Sequence, residues 1–426
     1  MLGKPSKFLE SMREIVTRLA PRTHTPLHSG TNLFLPRSFN ELYRYDLSEI
    51  EELDDLHNPH GVLAEAQLFT AEFFSSRASF FSVGGASTAL MAACLVLGEG
   101  GKVLIPCNAH KSLIAGLILI GAEPIWYEPE WDSQIGIYRS VDPGLVSFLV
   151  KQNPDLKAFF ITSPTYEGIQ SDLEKIVPIA HQAGIPVIVD ESHGAHLSLL
   201  GLPHCGLESG GDLVIHSIHK SLGGLTQTGI LHFNSNLISK SKVAASLSLL
   251  QTTSPSFLLL LSIVESIYQI GQNLDLLRKP YQQALKLRNL LDKMEDRGVK
   301  VLHNHDPLHC LISIHGYAGS ELSEWLYQNG KLETELEGAN WVMLLLGLGL
   351  KRSDLCFIQR LIRQAALERR MTFTDPPLPI PKPKPLITYD TPRRAFFKSE
   401  SPSFKFKCPP GIPTNIPGSA PRGFEI

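Results

Sequence analysis

Two stretches, "DESHGAHLSL" at residues 190–199 and "HSIHKSLGG" at 216–224, place a carboxylate, four histidines and a lysine directly after apolar β-branched runs. A lysine buried at such a strand end loses its proton readily and can form a Schiff base with a carbonyl. Lys220 has that position, with Ser217 and His219 before it and a Gly223-Gly224 turn after it. Asp190 closes the run "IPVIVD", so its carboxylate points into a crevice and suits a cation such as a pyridinium N–H. Keeping that nitrogen protonated is what makes pyridoxal phosphate an electron sink. The competing chemistry is metal ligation by Asp190, His193 and His196, but their i, i+3, i+6 spacing matches no standard zinc arrangement.

Other strand ends carry complementary groups. "SVGGASTALMAA" (82–93) passes from a strand through a Gly-Gly turn into a helix, and exposed N–H groups of Gly85, Ala86 and Ser87 at a helix start would make a phosphate site. It is not a dinucleotide fingerprint, since G-x-G-x-x-G is absent. "CNAHKS" (107–112) brings His110 to a strand end, where an imidazole can lie flat on an aromatic ring. "HNHDPLHC" (303–310) is dense in metal-capable groups, yet its proline and its place between two strands predict a solvated loop. The acidic run "EIEELDDLH" is expected to be a solvated face, or else a wall near a cationic substrate.

Positioning these groups requires a particular framework. Short apolar runs, "ASFFSV", "KVLIP", "EPIWY", "KAFFITS", "IPVIVD", "DLVIHS" and "TGILHF", alternate with longer helical patterns. Such alternation predicts an α/β fold with a mostly parallel sheet covered on both faces, whose ligands sit at the carboxyl ends of the strands. Residues 1–45 read as an N-terminal arm and 46–250 as the large cofactor-binding domain. Residues 251–297 read as linking helices, 298–373 as a smaller α+β domain, and 374–426 as a Pro-rich, shortened C-terminal segment, in which the repeated prolines of 374–392 favour an extended linker. The apolar run "SFLLLLSIVESIYQIG" is broken by Glu265 too early to span a bilayer and is expected to be a buried helix.

The 426 residues carry a net charge of -3, which gives no global electrostatic case for nucleic acid or an anionic membrane. Six scattered cysteines without a C-x-x-C pair argue against a zinc ribbon, a redox dithiol or a disulfide framework. The N-terminal stretch lacks a signal-peptide core, so the expected compartment is the cytoplasm.

Taken in order, "LDDLHNPHG", "FFSVGGAST", "NAHKS", "SPTYEG", "VDESHGAH", "HSIHKSLGGLTQTG", "TELEGANWVMLLLGLG" and "PPGIPTNIPG" resemble the Orn/Lys/Arg decarboxylase family over nearly the whole chain. Within that family the chain is most similar to short bacterial arginine and lysine decarboxylases. The resemblance implies the PLP-dependent transferase fold type I with a seven-stranded sheet, pyridoxal phosphate as cofactor, and decarboxylation of arginine or lysine, with ornithine third. It also implies that Lys220 carries the cofactor, Asp190 pairs with the pyridinium nitrogen, His110 stacks on the ring and His193 lies beside it. Gly85, Ala86, Ser87, Ser217 and His219 are then expected around the phosphate. A homodimer or higher oligomer is implied too, with Thr226 and Gln227 near the interface.

The chain departs from the family pattern at Gly84 and Ala86 in the phosphate turn and at Leu27 and Ser29 in the arm. It departs again at Cys408 and Ser419, where relatives carry tyrosine and glutamate. Two further readings therefore stay open, a pyridoxal-phosphate-binding relative without turnover, and a transaminase or eliminase.

Overall fold

The structure, a computed structural model, describes residues 4–18, 20–369, 380, 382 and 391–398. Strands β1 (Ala78–Ser82), β2 (Lys102–Pro106) and β3 (Glu123–Tyr127) are followed by a small hairpin, β4 (Trp131–Asp132) and β5 (Ile137–Tyr138). Then come β6 (Leu156–Thr162), β7 (Val187–Asp190), β8 (Leu213–Ser217) and β9 (Gly229–Phe233). All but the hairpin join one seven-stranded sheet in the order β1-β9-β8-β7-β6-β2-β3. The pairs among β2, β3, β6, β7 and β8 are parallel, and β9 alone runs against both of its neighbours.

The apolar runs are near-continuous because both faces of the sheet are buried. Phe159, Ile161, Val187, Val189 and Val214 enter one core layer, while Ala158, Phe160, Ile188, Leu213 and Ile215 enter the other. Helix Phe257–Gln272 buries Phe257, Leu260, Ile263 and Ile267, as expected of a core helix. Among the described residues no single helix is long and apolar enough to cross a membrane.

A second sheet holds β10 (Val299–Val301), β11 (His309–Ile314), β12 (Leu336–Glu337) and β13 (Val342–Leu345) in the antiparallel order β10-β11-β13-β12. Two features correct the sequence reading. The "HNHDPLHC" stretch is solvated only at its start, where His303 and His305 are exposed, while Asp306 is 0% and His309 2% exposed. After the Pro-rich stretch expected to be extended, Pro392–Lys398 is helical, and proline is tolerated at a first helical position because its missing N–H has no partner there. Asp54, in the acidic run expected to be a solvated face, is buried, and its carboxylate accepts from the backbone N–H groups of His60, Gly61, Leu63 and Ala64. Cys408, Ser419 and "PPGIPTNIPG" lie outside the described residues.

Register gathers the site. Asp190 pairs with Ile215, while Ser82 and Ser217 both pair with Gly229, so the ends of β1, β7 and β8 meet the start of β9 at one edge. Gly229 is required there by close approach: a β-carbon would lie 2.7 Å from both Ala86 N and Gly85 C. Gly229→Ala is expected to cost about 1–3 kcal/mol of stability through overpacking, read by denaturant unfolding. An unfolding midpoint equal to that of the unaltered protein would show that this edge is not tightly packed.

Candidate active site

Lys220 lies on the four-residue helix Ile218–Ser221, entered directly from β8 through Ser217. Its Nζ is 2.9 Å from Nε2 of His193 and 5.7 Å from the ring centroid of Tyr166. Burial pushes the Lys220 pKa down, and Asp190 and Glu335 oppose that shift by stabilising the ammonium. The result is an amine that is more easily freed than that of a surface lysine.

Asp190 is the last residue of β7 and is buried. The chain turns at once, so Oδ1 accepts from the Ser192 backbone N–H at 3.2 Å and from the Ser192 hydroxyl. His110 caps helix Lys111–Ile120, its Nδ1 accepting from the Ser112 N–H at 3.2 Å and the Ser112 hydroxyl at 2.7 Å. Those two donors place the ring proton on Nε2. Burial holds His110 below the usual imidazole range, Asp190 opposing and Lys220 and Lys111 adding to it. His110, Asp190 and Lys220 thus share one electrostatic neighbourhood.

At the other end, helix Gly85–Leu95 begins with no side-chain cap, and Gly85 sits at φ +67°, a conformation that glycine adopts without strain. Ala86 is buried and Ser87 exposed. His219 donates from Nδ1 to the Thr228 carbonyl at 3.0 Å, and Ser217 is buried at the end of β8. Thr226 and Gln227 are exposed on the turn that passes Gly85. The residues present fit pyridoxal phosphate. An uncapped helix start can receive its phosphate, a carboxylate at a strand end its ring nitrogen, and a half-buried lysine its aldehyde.

The metal reading of Asp190, His193 and His196 does not hold, because the three groups turn to different partners. Asp190 faces Ser192, while Nδ1 of His193 is 3.0 Å from Nε2 of His309. Nδ1 of His309 bonds Oδ2 of Asp306 at 2.7 Å, and Nε2 of His196 lies 3.1 Å from the same oxygen. Glu191 and His216, sequence neighbours of the site residues, pair with each other at 2.9 Å instead.

Sequence reasoning missed four participants. Asp306 and His309 fall in a stretch whose sequence predicts a solvated loop, whereas β11 already begins at His309 and both residues are buried. Tyr166 and Glu335, joined by a short hydrogen bond, stood in quoted motifs without a role. Burial pushes the Tyr166 phenol upward, and its bond to Glu335 adds to the shift, so Tyr166 remains a neutral donor.

Comparison with known proteins places this geometry. The model of the Orn/Lys/Arg decarboxylase major domain matches residues 16–309. The arginine decarboxylase of Bacillus subtilis (strain 168) is 33% identical over 401 residues, covering 88% of this chain and 81% of that protein. The arginine decarboxylase of Bacillus cereus is also 33% identical, over 400 residues, with 88% and 87% covered. The fold is similar to that of the Francisella novicida lysine decarboxylase, with a TM-score of 0.75 at 15% identity over 85% of this chain. The chain spans 60% of that larger enzyme's length. Since that family model spans residues 16–309, well over half of the chain, and the Bacillus subtilis relative is 33% identical over 88% of it, the chain belongs to the Orn/Lys/Arg decarboxylase family.

Proposed function

We propose that this chain is a pyridoxal-phosphate-dependent decarboxylase of a basic amino acid, arginine or lysine ahead of ornithine, yielding the corresponding amine. The observation that carries the reading is the meeting of Lys220 and Asp190 at adjacent strand ends, in a chain whose relatives are named arginine decarboxylase. The amine would be a diamine or a polyamine precursor.

Pyridoxal phosphate, when bound, supplies the electron sink that lets the bond to the substrate's α-carboxylate break. Lys220 presents a readily neutralised amine to hold the cofactor and to be exchanged for the substrate amine. Asp190 would keep the proton on the ring nitrogen, with Ser192 holding its carboxylate in place. His110 would lie against the ring, its orientation fixed by Ser112. The Gly85, Ala86 and Ser87 N–H groups, Ser217 and His219 would hold the phosphate. His193 and Tyr166 wall the lysine from water, and such fixed orientation is a major source of rate.

We further infer a homodimer in the cytoplasm. Leu27 and Phe34 in the N-terminal arm are 98% and 85% exposed, and Thr226 is exposed beside the phosphate turn, so a second copy can cover the arm and complete the site. The cysteines of the described residues are free, as a reducing compartment favours.

Purified protein with pyridoxal phosphate and an equal mixture of arginine, lysine and ornithine should release one amine, identified by mass spectrometry. Protein that holds the cofactor and yields no amine would refute the decarboxylase reading, and a keto acid would select transamination. Asp190→Asn is expected to lower turnover by about two to three orders of magnitude, the scale for losing one preorganised charge contact. Light scattering should give the mass of two chains, and a monomer at assay concentration would contradict the shared site.

A further inference from the structure

Behind His193 the reaction as described leaves three further buried groups, Asp306, His196 and His309, without a role. Asp306 is 0% exposed, His196 1%, His309 2% and His193 6%, and they join the start of β11 and the loop before it to the turn after β7. A carboxylate at that depth is costly unless paired. Burial acts against ionised Asp306, but His196 beside it and the hydrogen bond from His309 prevail and hold its carboxyl well below the usual range.

With His309 neutral, the hydrogen bonds of this row run in one direction. Asp306 is held ionised, so His309 donates from Nδ1 at 2.7 Å. The lone pair of His309 is then on Nε2, and it receives the Nδ1–H of His193 at 3.0 Å. That leaves the lone pair of His193 on Nε2, 2.9 Å from Nζ of Lys220. Burial and the neighbouring Lys220 depress the protonation of His193.

We propose that Asp306 and His309 are positioning residues that hold His193 as the proton acceptor of Lys220, and that the proton shed by Lys220 comes to rest on His309 beside the Asp306 carboxylate. The step balances with no other reactant. The Lys220 ammonium gives a proton to Nε2 of His193, and His193 passes its Nδ1 proton to Nε2 of His309. One positive charge has moved from Lys220 to His309, and His193 has exchanged tautomers.

The remaining charges around the row are few. Lys220 also feels Asp190 and Glu335, which favour its ammonium. His193 also faces Tyr166 and feels His110, and Asp306 faces His196 and influences Tyr281. The two carboxylates near Lys220 resist loss of its proton, and the row offers that proton a second site against its own carboxylate. The family's cofactor chemistry needs a free amine at neutral pH, and this device supplies it from the small antiparallel sheet.

The inference rests on Lys220 being the lysine that captures the cofactor aldehyde. Cofactor-free protein would be mixed with pyridoxal phosphate across a pH series, and Schiff-base formation followed by stopped-flow absorbance. Asp306→Asn removes the charge, and His309→Gln keeps an acceptor for His193 but cannot take up a proton. Both variants should move the acid limb of the rate profile up by about one pH unit, making capture about ten-fold slower below it. Thermal melting reports whether they fold.

Folded variants whose profiles overlay that of the unaltered protein would overturn the relay, whereas failure of the unaltered protein to capture the cofactor would overturn the reading of Lys220. A second readout needs no variant: nitrogen-15 NMR of histidine-labelled cofactor-free protein should place the protons of neutral His193 and His309 on Nδ1. A resting proton on Nε2 of His193 would overturn the proposal.

Discussion

The structure turns on keeping the Lys220 ammonium out of water without making it impossible to form. Burial alone would strip its proton, and Asp190 with Glu335 alone would keep it charged. An unpartnered ammonium at this depth would be strongly destabilising. The balance of apolar surroundings, two carboxylates and an imidazole at 2.9 Å yields a lysine that can exist in both forms. Schiff-base chemistry requires both.

That balance depends on placement, and placement comes from the sheet. Parallel strands deliver their carboxyl ends to one edge, so groups distant in sequence arrive together without long loops. The reversed β9 adds a feature that a fully parallel sheet lacks. It brings Gly229 to the same edge, where its missing side chain lets the start of helix Gly85–Leu95 come close. Apolar packing on both faces then holds β7 and β8 rigidly, and sites carried on such elements are more precise than sites on free loops.

Much of this was legible in the sequence, for a physical reason. Strands buried on both faces must be apolar runs, and all seven strands of the main sheet were read from such runs. Lys220, Asp190 and His110 stood out because polar groups at the ends of these runs have little reason to be there except chemistry. The direction of β9 was not legible, since an apolar run carries no mark of polarity. The buried histidine row was missed because burial of Asp306 and His309 comes from tertiary packing against the turn after β7, which local pattern does not encode. Asp54 was misjudged for a similar reason: the acidic run "EIEELDDLH" conceals a carboxylate that organises the backbone of its own loop.

The central claim is that one cofactor is held covalently at Lys220. Borohydride reduction of the protein with bound pyridoxal phosphate, followed by digestion and peptide mass mapping, tests it most directly. The account predicts one pyridoxyl adduct per chain, on the peptide that carries Lys220. An adduct on a different lysine, or none on a protein that retains the cofactor, would contradict it.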